Sequence, residues 1–431
     1  MDKVAAKIES EIKNRGAISF ARFMELALYC PVYGYYEKEG DIIGPRGDYY
    51  TSVSVGSLFG QLLACQFSRW CDEDGEFALN RRPGSSDSSE PFLQIFEAGA
   101  HRGDLARDVL QWFQDWRPDL FQRLEYWLVE PSRNRRGWQQ RTLARFSRQT
   151  RWITRLSTLA AGAPGVCVAP PFRIVFANEL LDALPVHRFG WNAANHTWFE
   201  WGVTRRDHRF VWIRMPVGQQ PVYTCSRERH PTRNSVQALQ SLRRQLAEVP
   251  SLLGERETGF PGVSPLANSP AVERLLEALP DGFIIEISTA AERWWRRAAT
   301  AVGPGKLIAI DYGRRFEELL TPERGRGTLR AYRRHQVTDE ILGAPGQQDL
   351  TADVNFSAIE AAGESAGLKT ELYLSQSSFL IDIAGKIWGG QQRFAPWSSE
   401  FTRQFQTLTH PEHLGRAFRV LVQSHGRNRK F

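Results

Sequence analysis

The stretch FEAGAHRGDL, residues 96 to 105, decides how this chain is read. It closes an apolar, strand-forming run, FLQIFEAG (92–99), and passes through Gly99 and Gly103 into LARDVLQWF (105–113), where apolar residues recur at helical spacing. Strand, glycine turn and helix form the unit from which parallel sheets are built. Glycine lets the turn backbone approach a ligand, and the helix amino terminus offers N–H groups without intrahelical partners. A nucleotide-like cofactor suits such a turn. The G-x-G-x-x-G signature expected for NAD is absent, and Glu97 at the strand tip suits a cationic ligand better than a pyrophosphate. S-adenosylmethionine, with its sulfonium and amino groups, meets that requirement.

The same alternation continues outward. EYWLVEP (125–131) leads into a helical stretch at 136–146, a short WITRL run (152–156) follows, and then come FRIVFANE (172–179) and KLIAIDYG (306–313). The expected fold class is therefore α/β, a doubly wound Rossmann-like sheet. Glu130, at the end of the second run, is placed to accept hydrogen bonds from both ribose hydroxyls; the plainer reading is that it caps the helix after it. FANELLDALPVHRF (176–189) brings Asn178, Glu179 and Asp182 to the carboxyl edge of the sheet, where open α/β sheets bind ligands. Carboxylates there can orient a cationic nucleophile or accept its proton, whereas a helix cap near Leu180 accounts for Asn178 and leaves two acids unexplained. KTELYLS (369–375) and SSFLID (377–382) are expected as two antiparallel edge strands, because the turn between them is too short for a crossover helix.

Around this core, Val4 to Asn14 has helical spacing, Ser19 can cap a helix from Phe20 to Tyr29 that Pro31 stops, and 33–54 is a Gly- and Tyr-rich loop, a candidate lid. Residues 198–217 alternate as a hairpin, 235–248 look helical, GFIIEIS (282–288) is extended, and 290–302 is helical. The expected organisation is a helical cover with a cleft loop (1–80), a core (91–189 and 282–385), an inserted α+β subdomain (190–281) and a helical extension (386–431).

Composition narrows the function classes. With 42% hydrophobic and 24% charged residues the chain is an ordinary globular one, and wholesale disorder is not expected. The net charge of +7 is a weak excess, and its densest runs, Arg133 to Arg136 and Arg427 to Lys430, read as solvated surface; no nucleic-acid docking module is present. The five cysteines, an odd number without a Cys-x-x-Cys pair, indicate a reducing compartment, and no signal or transit pattern opens the chain, so a cytoplasmic protein is expected. No apolar run is long enough for membrane insertion. The scattered histidines give no metal set, His410 and His413 lacking a third ligand nearby. Oligomeric state is not readable from periodicity.

The chain from about residue 18 to residue 383 resembles the MidA family of methyltransferases. The matching stretches are ISFARFMELALYCPVYGYY (18–36), GDYYTSVSVGSLFGQLLA (47–64), EYWLVEPS (125–132), FANELLDALPVHRF (176–189), IEISTAAERW (285–294), LIAIDYG (307–313) and GTLRAYRRH (327–335). The resemblance implies a class I methyltransferase core using S-adenosyl-L-methionine, with Asp48, Tyr50, Thr51 and Ser52 walling the cofactor cleft. It also implies protein arginine as acceptor, on a subunit of respiratory complex I, with Glu179 and Asp182 aligning the guanidinium. The implied cofactor set is Glu97, Gly99, His101, Gly103, Glu130, Asn178, Tyr50 and Ser52. Three departures stand out: His101 where the family's turn has glycine, Cys30 for a histidine, and TADVN (351–355) for Thr-Ala-His-Val-Asp. Two other readings stay open, a small-molecule O- or N-methyltransferase and a methyltransferase-fold assembly module that no longer takes cofactor.

Overall fold

The computed structural model describes residues 3–38, 51–79, 91–156, 171–217, 232–252, 270–333, 336–390, 393–412 and 414–425. The chain divides into two compact units, one of Met1–Glu39, Asp182–Arg293 and Arg314–Ile359, the other of Gly40–Leu181, Trp294–Gly313 and Glu360–Phe431.

The second of these holds the parallel sheet. Its strands are β1 (Leu93–Ala98), β2 (Leu124–Val129), β3 (Thr150–Ile153), β4 (Phe172–Asn178), β5 (Gly305–Arg314), β6 (Leu368–Ser375) and β7 (Phe418–His425), in the spatial order β6-β7-β5-β4-β1-β2-β3. Strands β1 to β5 are mutually parallel, and β7 runs antiparallel between β5 and β6. Side chains of β1 and β4 are buried along nearly their whole length, as sheets covered on both faces require, which is why their sequences read as continuous apolar runs. Helices α1 (Leu58–Leu79), α2 (Asp104–Trp116), α3 (Arg133–Thr142), α4 (Gln376–Trp388) and α5 (Ser399–Thr409) belong to this unit. In α2, Leu105, Val109, Trp112 and Phe113 share one buried stripe and enter the same core as Leu62, Phe67, Phe176 and Phe379.

Two expectations fail here. SSFLID is not a strand: Ser375 Oγ accepts the Ser378 N–H and starts α4, which buries Phe379, Leu380, Ile383 and Ala384 on one face. A short apolar run fits either period, and the cap decides for helix. The antiparallel strand comes instead from β7, inside 386–431, a stretch expected to be helical.

The other unit is built on an antiparallel sheet in which Thr197–Arg206 lies between His187–Asn192 and Arg209–Pro216, with Ile284–Ile287 beside His187–Asn192 and Ile18–Ser19 beside Thr197–Arg206. The expected hairpin is present, and its two-residue turn sets Asp207 and His208 at φ 45° and 63°, the left-handed values that match strand twist. Ser19 caps Phe20–Tyr29 by accepting the Arg22 N–H. The helices Lys3–Arg15 and Phe20–Tyr29 belong to this unit while α1 belongs to the sheet unit, so the expected cover at 1–80 is split. GFIIEIS, expected in the core, also falls in this unit, because Ile284–Ile287 pairs with His187–Gly190. Both differences arise from long-range pairing that local spacing does not encode.

Candidate active site

Register aligns the strand tips. Ala98 is level with Val129 and with Ala177, and Asn178 is level with Ile310. Glu97, Glu130, Glu179 and Asp311 therefore come to one carboxyl edge on four neighbouring strands. The chain winds outward from β1 through β2 to β3 and then crosses to β4 on the other side, so the β1/β4 boundary is the topological switch point, where such sheets bind ligands.

The turn after β1 depends on its glycines. Gly99 has φ +81°, and a Cβ added there would lie 3.1 Å from Leu180 Cβ. Gly103, at φ +87°, precedes α2 without a side-chain cap, leaving the N–H groups of its first turn open to a ligand. His101 shares the left-handed conformation at φ 44°, which favours glycine. Its ring packs edge-on against Trp138, and burial pushes its pKa down to about 4, so it is neutral near pH 7.

Glu97 is 2% exposed and accepts the Tyr126 hydroxyl proton at 2.7 Å; burial raises its pKa to about 8. Glu130, equally buried, accepts the Ser132 N–H at 2.8 Å, the Arg135 Nε at 2.9 Å and the Gln139 Nε2 at 3.2 Å, while the cap of the following helix is Ser132, whose Oγ accepts the Arg135 N–H. Glu179 sits at φ 50° and accepts the Ser52 N–H at 2.9 Å and the Asn178 Nδ2 at 3.2 Å. Burial pushes its pKa up to about 8, with the nearby Asp311 charge adding to the rise. Asn178 Oδ1 is buried without a partner among the described residues. No helix begins near Leu180; the Leu180 and Leu181 N–H groups donate to Asp311 instead, at 3.1 and 2.8 Å. The capping alternative for Asn178 is thereby removed. Ser52 Oγ donates to Gln376 Oε1 at 3.0 Å, and Thr51 is also buried.

Asp182 belongs to the other unit, where it is buried and its carbonyl accepts the Ala352 N–H. Tyr50 and Asp48 lie outside the described residues, as does most of the candidate lid. Sequence reading passed over Asp311, Tyr126, Gln139 and Gln376. Asp311 carried a visible signal, an acid closing the run KLIAID as Glu179 closes FRIVFANE.

The donor set fits S-adenosylmethionine. Uncapped N–H groups suit its carboxylate, the buried acids suit its cationic centres and ribose hydroxyls, and the orphaned Asn178 oxygen suits an N–H donor. Glu97 and Glu179 also contribute to the pH response of the fold. Their folded pKa values lie above those of the unfolded chain, so the stability they leave intact below about pH 4.5 is lost as pH rises through about 8. The thermal midpoint is expected to fall between about pH 6 and about pH 9, and Glu97→Gln to flatten that slope; an unchanged slope in the variant, read by differential scanning calorimetry, would refute the assignment.

Residues 84–374 match the model of a family described as "putative S-adenosyl-L-methionine-dependent methyltransferase". The chain is 29% identical, over 81% of its length and 69% of the relative's, to a Danio rerio protein named protein arginine methyltransferase NDUFAF7, mitochondrial. It is 26% identical, over 98% of its length and 85% of the relative's, to the Drosophila melanogaster homolog of that protein, also named as mitochondrial. A Burkholderia thailandensis protein crystallised with S-adenosyl-homocysteine shares 25% identity, with a TM-score of 0.70 covering 98% of this chain and 91% of that one. The relatives' names overturn the cytoplasmic placement expected from the cysteines. Unpaired cysteines report a reducing environment, and that condition does not single out the cytoplasm. No helix among the described residues is long and apolar enough to cross a membrane.

Proposed function

Because the chain belongs to this family of S-adenosyl-L-methionine-dependent methyltransferases, we propose that it methylates an arginine side chain of a protein. The cofactor is S-adenosyl-L-methionine, which when bound supplies an electrophilic methyl group on its sulfonium. The observation that carries the acceptor reading is Glu179, a half-buried residue at the switch point whose carboxyl accepts the Ser52 N–H and the Asn178 Nδ2. A guanidinium is planar and cationic, and carboxylate oxygens can both align it and accept the proton it releases on methylation. A carboxyl with a pKa near 8 is tuned for such proton transfer near neutral pH. Asp182, three positions on, is proposed as the second acid toward the acceptor. Gly99, Gly103 and the first turn of α2 would hold the methionine part, Glu130 the ribose, and Glu97, Asn178, Ser52 and His101 would line the cleft.

The names of the animal relatives support protein arginine as the acceptor class, and a respiratory complex I subunit is the partner that the MidA resemblance favours. The test is transfer of labelled methyl from S-adenosylmethionine to a mitochondrial protein extract, followed by acid hydrolysis. Labelled methylarginine is the expected product. Label confined to small molecules would overturn the acceptor and favour the small-molecule alternative.

A further inference from the structure

Gln139 lies on α3, in the polar stretch RNRRGWQQRT, yet its side chain is fully buried. Its amide makes three contacts in the sheet unit. Nε2 donates to the His101 carbonyl at 3.1 Å and to Glu130 Oε2 at 3.2 Å, while Oε1 accepts the Trp152 indole N–H at 3.0 Å. The chemistry of the partners fixes the amide's orientation, since a carbonyl and a carboxylate only accept and an indole N–H only donates.

The two groups that share Nε2 have different origins. His101 stands in the glycine turn after β1, in a left-handed conformation that side chains rarely adopt. Glu130 is the acid at the tip of the next strand, β2, and Trp152 is anchored on β3 beyond it. One buried amide thus spans three adjacent strand ends. We propose that Gln139 is a positioning residue for cofactor binding: it holds the His101 turn in its left-handed form and keeps Glu130 aimed, so that both halves of the cleft are preset together. This rests on the reading that the turn and Glu130 hold S-adenosylmethionine.

The role makes a prediction that simple loss of packing does not. Glycine adopts the left-handed turn unaided, so a chain with Gly at position 101 needs the tie less. Gln139→Met keeps length and volume and removes all three hydrogen bonds. By calorimetric titration with S-adenosylmethionine, Q139M is expected to weaken binding about tenfold in the wild-type background and under about threefold in the H101G background. In turnover, KM for the cofactor should rise while kcat at saturation stays near wild type. Equal losses in both backgrounds, or no loss in either, would overturn the proposal. Should Q139M fail to fold, Trp152→Phe removes the indole donor together with part of the ring and carries the same comparison with a smaller loss, about threefold. Failure of the wild-type protein to bind would defeat the cofactor-site reading itself, and is told apart because it precedes any comparison of variants.

Discussion

Glu130→Ala is expected to weaken S-adenosylmethionine binding on the order of 100-fold. The carboxylate is 2% exposed at the tip of β2, and strand-tip acids next to a glycine turn accept the ribose hydroxyls in folds of this topology. Hydrogen bonds to a charged acceptor contribute about 1.5–3 kcal/mol each, so loss of a bidentate contact accounts for two decades of affinity. The substitution also removes a buried partner of Arg135, whose side chain is only 11% exposed and pairs with Glu130 at 2.9 Å. Part of the effect will therefore register as lower stability. Glu130→Gln separates the two: it keeps an acceptor for Arg135 and loses the charge, so affinity should fall with a smaller drop in thermal midpoint. Wild-type affinity in both variants would remove Glu130 from the cofactor site.

The second large effect is on turnover. Glu179→Gln is expected to reduce kcat about 100- to 1,000-fold with little change in cofactor affinity. The amide oxygen can still accept the Ser52 N–H at Glu179 Oε1, so the local fold should persist, but it cannot take a proton or balance a guanidinium charge. The residue's backbone supports a special role. A non-glycine at φ 50° is strained, and such strain is retained where the surroundings over-determine the conformation. Here Asp311 does so, by fixing the Leu180 and Leu181 N–H groups that follow. Methyl transfer that survives alanine at both Glu179 and Asp182 would sink the acceptor assignment.

Much of this site was legible in the sequence because parallel strands buried on both faces leave an unusual trace. Each is an apolar run that ends abruptly on an acid or amide at the carboxyl edge, as in IFEAG, WLVEP and VFANE. The tips could be named without knowing how the strands neighbour one another. What could not be read was whatever depends on pairing across the chain. Gln139 sits in the most polar helix of the sheet unit, and nothing local marks it as buried. SSFLID fits a strand or a helix equally until Ser375 is seen to cap it. The helices Lys3–Arg15 and Phe20–Tyr29 were correctly located, but their membership in the unit with the inserted hairpin follows from Ile18–Ser19 pairing with Gly202 and Val203, far along the sequence.

The place of β7 bears on how the molecule comes into being. Phe418–His425 is the last strand in sequence among the described residues, yet it lies inside the sheet, with β5 on one side and β6 on the other. Until it arrives, β5 and β6 each present an open row of backbone donors and acceptors. The nascent chain must keep those two edges from pairing with foreign strands while more than a hundred residues after β5 are still being synthesised. Closing the gap joins segments distant in sequence, and pairing of that kind carries a high loop-closure cost. A chain cut short before Phe418 would carry every proposed cofactor contact and lack the strand that joins β5 to β6.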